Sequence, residues 1–413
     1  MNKNAVVFTS LIGLALWACS DANSRTATND SPSELGRERS DSAGKKFLDD
    51  GGTADGGTAD DSDPMAHIEY FASEELRGRD SPSADFDTAA AYVTERLVKY
   101  GLTGPNSGDA NGDYAQTFEV GALAAQGTSA KQRAAHVHSK DARDPTSFGT
   151  SLFEHGFYID KRPGSASPAA KLLAARPDAF AAGDSHNVLG RLEGTGPQKN
   201  EVIVAMAHLD HLGVSSSGDV YNGADDNGSG SGVLLSLVPL LAEAQQNGQL
   251  NRSVLFVFTA AEEDGLVGSQ YFVDHPIAGV GLSDVVGVIN MDMVGRWDDQ
   301  RISVIDSKSD GTTTYLAELL TQANAKLADP FDTVNHDIDQ YARRQDGASF
   351  YDQNEDVLFV FEGLSDPAGG GSLNEDYHQT TDDVSKIISE NGGNKPRRVR
   401  DLLNELIKLA SNR

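Results

Sequence analysis

The sequence predicts an α/β domain, a three-layer sandwich whose mainly parallel central sheet is covered by helices on both faces. Three observations predict it. Continuous apolar runs recur at 188–192, 202–207, 254–259, 285–289 and 357–361. Helix-length stretches alternate with them at 229–246, 267–274 and 313–327, followed by a C-terminal helix. Apart from Arg191 and Thr259, the runs carry no polar side chain, rather than one at every second position, which marks strands buried on both sides. A chain of 413 residues is long enough to build such a core.

The first elements in chain order are not part of that fold. Residues 1–18 carry one basic residue, Lys3, and then an apolar stretch from Ala5 to Ala18. This reads as a secretory signal, too short to span a bilayer. The single cysteine, Cys19, stands where the stretch stops. "LWAC" resembles the bacterial lipoprotein box, which implies acylation of Cys19 and, with Ser20 following it, an outer-membrane destination. An ordinary cleavage site would leave a periplasmic or extracellular protein. Either way the mature chain has no disulfide and relies on its core. Residues 19–64 are rich in Ser, Asp, Gly and Thr, repeat "GGTAD" at Gly51 and Gly56, and read as a disordered tether.

Order is expected from Met65. Residues 65–120 form an N-terminal helical part, with Ala91, Val93, Leu97 and Val98 on one helix face and Gly101 as the stop. Residues 121–185 are weakly periodic and read as an insertion or surface excursion. The core of the domain is 186–413, and its last helix places Val399, Leu402, Leu403, Leu406, Ile407 and Ala410 on one face. With 34 basic against 62 acidic residues the net charge is −28. Such a field repels nucleic acid and anionic membrane surfaces, leaving a lipid at Cys19 as the one expected membrane contact.

Ligands gather beyond the carboxyl ends of parallel strands. Here "EVIVAMA" runs into His208 and Asp210, "SVLFVFTAA" into Glu262 and Glu263, and "VVGVIN" into Asp292. Three strands that deliver imidazole and carboxylate at one edge concentrate negative charge, which a cation must neutralise. Nitrogen and oxygen donors without thiolate suit zinc first, with manganese or cobalt as substitutes. Two loops add candidates. "NGADDNGSG" carries Asp225 and Asp226, although alone it also reads as a turn with a helix cap. "DYHQTTDD" carries His378, which alone reads as a surface histidine.

The five segments "AHLDHLG", "NGADDNGSG", "FTAAEEDGLVGS", "INMDMVGR" and "DYHQTTDD" resemble, in order and spacing, the co-catalytic di-zinc aminopeptidases. More distant relatives of that family include glutamate carboxypeptidase, glutaminyl cyclase and the transferrin receptor. "HIEYFASEELRGR" is similar to the family's N-terminal helix. The resemblance implies a zinc-peptidase type of sandwich and two zinc ions. His208 and Asp292 would bind one, Glu263 and His378 the other, with Asp226 between them and a cis Asp226–Asn227 bond. It also implies Glu262 as general base to a metal-bridging hydroxide, Asp210 as the carboxylate that orients His208, Tyr377 as an oxyanion donor and Asp382 as a support. Substrates would be peptides with a free N-terminus. One departure is "RRQDGASF", where many relatives carry Ser-Asp-His. A carboxypeptidase or glutaminyl cyclase-like enzyme on the same scaffold is the alternative, and a binding protein that kept the fold a third reading. His211 falls on the opposite side from His208 and Asp210 by strand alternation and reads as a structural histidine, with a substrate-side group or a support for the metal ligands as the alternative.

Overall fold

The computed structural model describes residues 60–109, 111–123, 157–158, 180–275, 277, 280–336, 338–366 and 371–413. The expected export signal, Cys19, the tether up to residue 59 and most of 121–185 lie outside the described residues.

The chain-ordered strands are β1 (Ala115–Leu123), β2 (Phe157–Tyr158), β3 (Phe180–Leu192), β4 (Val202–His208), β5 (Ser253–Thr259), β6 (Val285–Met291), β7 (Arg301–Ile305), β8 (Thr333–Asn335) and β9 (Val357–Phe361). Among the described residues these nine form one sheet in the order β2-β1-β3-β5-β4-β6-β9-β7-β8. The α/β sandwich is present, and its parallel character is concentrated in the four central strands, β5, β4, β6 and β9. Antiparallel pairing joins β1 to β2, β1 and β5 to β3, and β7 to β9, so the sheet as a whole is mixed. Part of 121–185 also belongs to it, since β1 runs into that stretch and β2 and β3 begin within it.

The helices are α1 (Pro64–Phe71), α2 (Ala84–Lys99), α3 (Gly228–Gln246), α4 (Val267–Asp274), α5 (Tyr315–Asn324), α6 (Val384–Asn391) and α7 (Asn394–Ser411). Alternate residues of β4 serve two cores. Ile203, Ala205 and Ala207 pack with side chains of α2, α3, α5 and α7. Val202, Val204 and Met206 pack on the other face with Phe272 and Val273 of α4. Each fully buried aliphatic side chain of this kind contributes about 1.5–3 kcal/mol, which favours apolar residues through the middle of the central strands and leaves polar ones such as His208, Thr259 and Asn290 to their carboxyl ends. None of the described helices is long and apolar enough to cross a membrane.

Order starts slightly before Met65. Asp63 caps α1 through its side chain, Pro64 takes the first turn, and buried Asp61 accepts from Lys99 Nζ at 2.5 Å and Tyr100 Oη at 3.0 Å. The last residues of the expected tether are therefore part of the domain. Helix α2 ends near Gly101, whose φ of 75° suits glycine. Its buried face is Phe86, Ala89, Ala90, Val93 and Leu97, while Ala91 and Val98 are exposed. The stripe is rotated from the expected one because Phe86, outside the segment that suggested it, anchors the packing.

Candidate metal centre

The register of the central strands builds the site. His208 pairs with Thr259 and Met206 with Asn290, so Asp292, two residues beyond Asn290, stands level with His208. Past Thr259 the chain turns through Ala261 at φ 56° and delivers Glu262 and Glu263. Past Asp292 it turns through Met293 at φ 51°, and His378 itself sits at φ 57°. Non-glycine residues rarely adopt this left-handed region, and here three of them shape the turns that aim the polar side chains.

Asp225 and Asp226 arrive on the loop that starts α3. Asn227 caps that helix, accepting from Gly230 N at 2.9 Å, and its amide donates to Met291 O at 2.9 Å, tying the loop to the end of β6. The Asp226–Asn227 peptide is cis, as the resemblance implied. Asp382 accepts from the backbone N–H groups of Asp225 and Asp226 at 3.0–3.1 Å, so the segment that carries His378 also grips this loop.

The five expected ligands come together. His208 Nε2 lies 3.4 Å from Asp226 Oδ1 and 3.5 Å from Asp292 Oδ1. His378 Nε2 lies 3.1 Å from Asp226 Oδ2 and 3.2 Å from Glu263 Oε2. All five residues are buried. Asp226 thus divides its two oxygens between two imidazole–carboxylate groups.

The electrostatics are those of a carboxylate cluster shut away from water. Burial pushes the Asp292 carboxyl up to about 6. Burial also pushes Glu262 well above its usual range, reinforced by Glu263, Asp346 and Asp292. Asp226 goes the other way: burial opposes its ionisation, but His208 and His378 hold it well below the usual carboxylate value. For His378 burial is likewise overcome, by Glu263 and Asp226, and the imidazole rises to about 10. Three buried oxygens, Asp226 Oδ2, Glu263 Oε2 and Asp292 Oδ1, make no hydrogen bond in proper geometry. Orphaned buried acceptors of this kind are costly. Two donors each about 2.0–2.1 Å from a tetrahedral zinc lie roughly 3.3 Å apart. The cross-pair distances above match that spacing, so the residues present fit metal ions.

Asp210 is buried beside them but contacts His208 differently from expectation. His208 Nδ1 donates to the backbone carbonyl of Asp210 at 3.1 Å, with the carboxylate 3.9 Å away. That carboxylate instead accepts from the N–H groups of Glu262 and Glu263 at 3.2 Å each. The strand ends at His208 and residues 209–213 continue without regular structure, so the alternation that placed the Asp210 side chain no longer applies there. Tyr377 stacks on His378 with ring centroids 3.9 Å apart and lines the cleft together with Glu262.

That cleft measures about 390 Å³, open mouth included. Its far wall is Met293, Phe359, Phe361 and Leu373, with Tyr341 and Arg344 beside them. This wall went unread in the sequence, because Phe359 and Phe361 look like any other core positions of a buried strand. Arg79 was also missed. Fully buried, it donates to the carbonyls of Leu209, Phe71, Asn222 and Gly223 at 2.6–2.9 Å. Burial lowers it only to about 10, so it stays charged behind Asp226. Its partners are scattered over the chain, and no local pattern announces them. The Gln345–Gly347 departure is absorbed by the fold: Gln345 Oε1 accepts from Asn290 Nδ2 at 2.8 Å and Gly347 N at 2.7 Å, and Thr259 Oγ1 donates to Asp346 at 2.5 Å.

An imidazole–carboxylate cluster at the carboxyl edge of the central strands of such a sandwich defines the zinc-peptidase class. The profile of peptidase family M28 matches residues 187–401, and the chain belongs to that family. A protein described as "Probable leucine aminopeptidase" from Arthroderma otae (strain ATCC MYA-4605 / CBS 113480) is 36% identical over 138 residues, 32% of this chain and 38% of that protein. The chain spans under two fifths of the length of this and three other curated relatives. Among solved structures, a zinc aminopeptidase from Bacillus subtilis superposes with TM-score 0.55 at 17% identity, covering 85% of this chain and 94% of that one. The glutaminyl cyclase of Bacteroides thetaiotaomicron superposes with TM-score 0.51 at 14% identity, covering 84% and 97%. At these identities the likeness is one of fold.

Proposed function

We propose that the chain is an aminopeptidase that holds two zinc ions and removes residues from the free N-terminus of peptides. The observation that carries this reading is Asp226, with one oxygen toward His208 and the other toward His378. His208, Asp292 and Asp226 would hold one ion, and Glu263, His378 and Asp226 the other. A bound zinc pair supplies Lewis acidity, which acidifies water and polarises a scissile carbonyl.

The remaining work falls to side chains. Glu262 takes the proton of the attacking water and passes it to the leaving amine. Its raised affinity for protons, caused by burial, suits a group that must hold a proton between those two steps. Asp210 fixes the backbone on which Glu262 and Glu263 stand. The Tyr377 hydroxyl donates to the oxyanion. The apolar wall of the cleft receives the side chain of the terminal residue, and the surrounding carboxylates attract its ammonium group. Family membership and the aminopeptidases among the relatives support the reading.

Matched peptides with free and N-acetylated termini test it, assayed before and after chelation. Turnover of the free-terminus peptides alone, lost with the metal, is expected. Equal cleavage of the blocked peptides, or indifference to the chelator, would overturn it. The reading extends to export with a lipid anchor on Cys19. Membrane fractionation of the Cys19→Ser chain should then find it released, and its retention would contradict the anchor.

A further inference from the structure

Alternation assigned His211 to the far side of the strand end, yet the structure brings it to the metal centre. The residue is wholly buried. Its Nδ1 lies 2.9 Å from Glu263 Oε1 and 3.9 Å from Asp226 Oδ2. An ionised carboxylate only accepts, so the proton of the short contact belongs to Nδ1. Glu263 is thereby divided: Oε1 is engaged by His211, while Oε2 faces His378 at 3.2 Å without a hydrogen bond in proper geometry. The imidazole is itself confined. A Cβ on Gly223 would lie 2.4 Å from its Cδ2, so the loop backbone packs directly on the ring. The ring also meets His378 edge-on, with centroids 6.0 Å apart, and the His211 backbone N–H donates to Arg79 O at 3.3 Å.

We propose that His211 is a positioning residue for one half of the metal centre: it holds Glu263 by Oε1 so that Oε2 alone is presented to the ion shared with His378 and Asp226. This rests on the two-zinc reading above. A side chain gripped in one orientation loses less freedom when it binds a metal, and outer partners of this kind are typically worth about 10–100-fold in metal affinity. On the Asp292 side His211 approaches only the shared Asp226, at 3.9 Å from the oxygen that faces His378, so the step that belongs to His208 and Asp292 should be far less sensitive to it.

Stepwise zinc affinity of the full chain, measured against a chromophoric chelator, tests the proposal. Asp292→Asn disables one half and isolates the step that belongs to Glu263 and His378. Adding His211→Phe should weaken that step by roughly 10–100-fold, and His211→Asn, which keeps an N–H donor, should recover most of the loss. In a Glu263→Gln background, His211→Phe should leave the remaining step unchanged. Equal weakening in both backgrounds, or none in either, would overturn the proposal. Nitrogen-15 spectra of the metal-loaded wild-type chain give a second reading that needs no variant to fold. A protonated Nδ1 on His211 is expected; a metal-bound Nδ1 would make His211 a ligand and end the positioning role. Wild-type chain that binds two zinc ions yet shows no His211 dependence refutes this proposal alone. Wild-type chain that binds none refutes the two-zinc reading and this proposal with it.

Discussion

Asp226 and Glu262 show how neighbouring carboxylates acquire opposite characters from position alone. Asp226 lies between two imidazoles and is held ionised, as a residue that would join two cations must be. Glu262 is aimed into the cleft from the same burial, and desolvation raises its proton affinity. Converting that side chain to its amide tests the division of labour, because glutamine keeps the shape and loses the base. Glu262→Gln should retain its zinc while kcat falls roughly 10²–10⁴-fold, and an unchanged kcat would remove Glu262 from the mechanism. The residue types at these positions were readable from strand ends and loop motifs. The contacts were less so: Asp210 holds the Glu262–Glu263 backbone rather than the His208 ring, and His211 reaches Glu263. Both depend on how the chain turns after β4, which periodicity does not describe.

Helices α1 and α2 are tied to each other by a buried histidine. His67 of α1 is buried, with Nδ1 3.0 Å from Tyr92 Oη on α2 and Nε2 2.9 Å from Asp61 O. Burial lowers its pKa from 6.5 to about 4. A folded value below the unfolded one means that His67 costs nothing above pH 6.5, where it is neutral in both states. Between pH 6.5 and 4 the unfolded chain gains the proton first, and stability falls by on the order of 3 kcal/mol from this group. Urea unfolding across that window should show the decline, and His67→Gln should flatten it; an equal pH slope in the variant would refute the assignment. Among strands, β4, β5, β6 and β9 were legible because both faces are apolar. Of the flanking strands only the end of β3, at 188–192, was legible. Short β7 opens on buried Arg301, and β1 mixes Gln116, Thr117 and Glu119 among its apolar residues, so neither carries the continuous run that marked the centre. Helix α6 was missed because its sequence buries a single side chain, Ile387.

At the scale of the molecule, the sheet solves one problem: it brings residues 208, 226, 263, 292 and 378 into one cleft. Strand register levels His208 with Asp292, the α3 cap fixes the Asp226 loop to β6, and Asp382 ties the His378 loop to the Asp226 loop. Five ordered motifs made the cluster legible in the sequence. The cleft wall did not show there, because it is assembled from β9, the turn after Asp292 and loops around 341–344 and 373–377 that look unremarkable one at a time. The acidic excess of 62 over 34 makes the domain a field that favours cations, in keeping with a site that gathers carboxylates. The central claim is that this cluster is a two-metal centre shared through Asp226. The most direct measurement is the zinc content of the full wild-type chain after loosely held metal has been removed. The account predicts two ions per chain, with loss from both halves in Asp226→Ala; one ion or none in the wild type would contradict it.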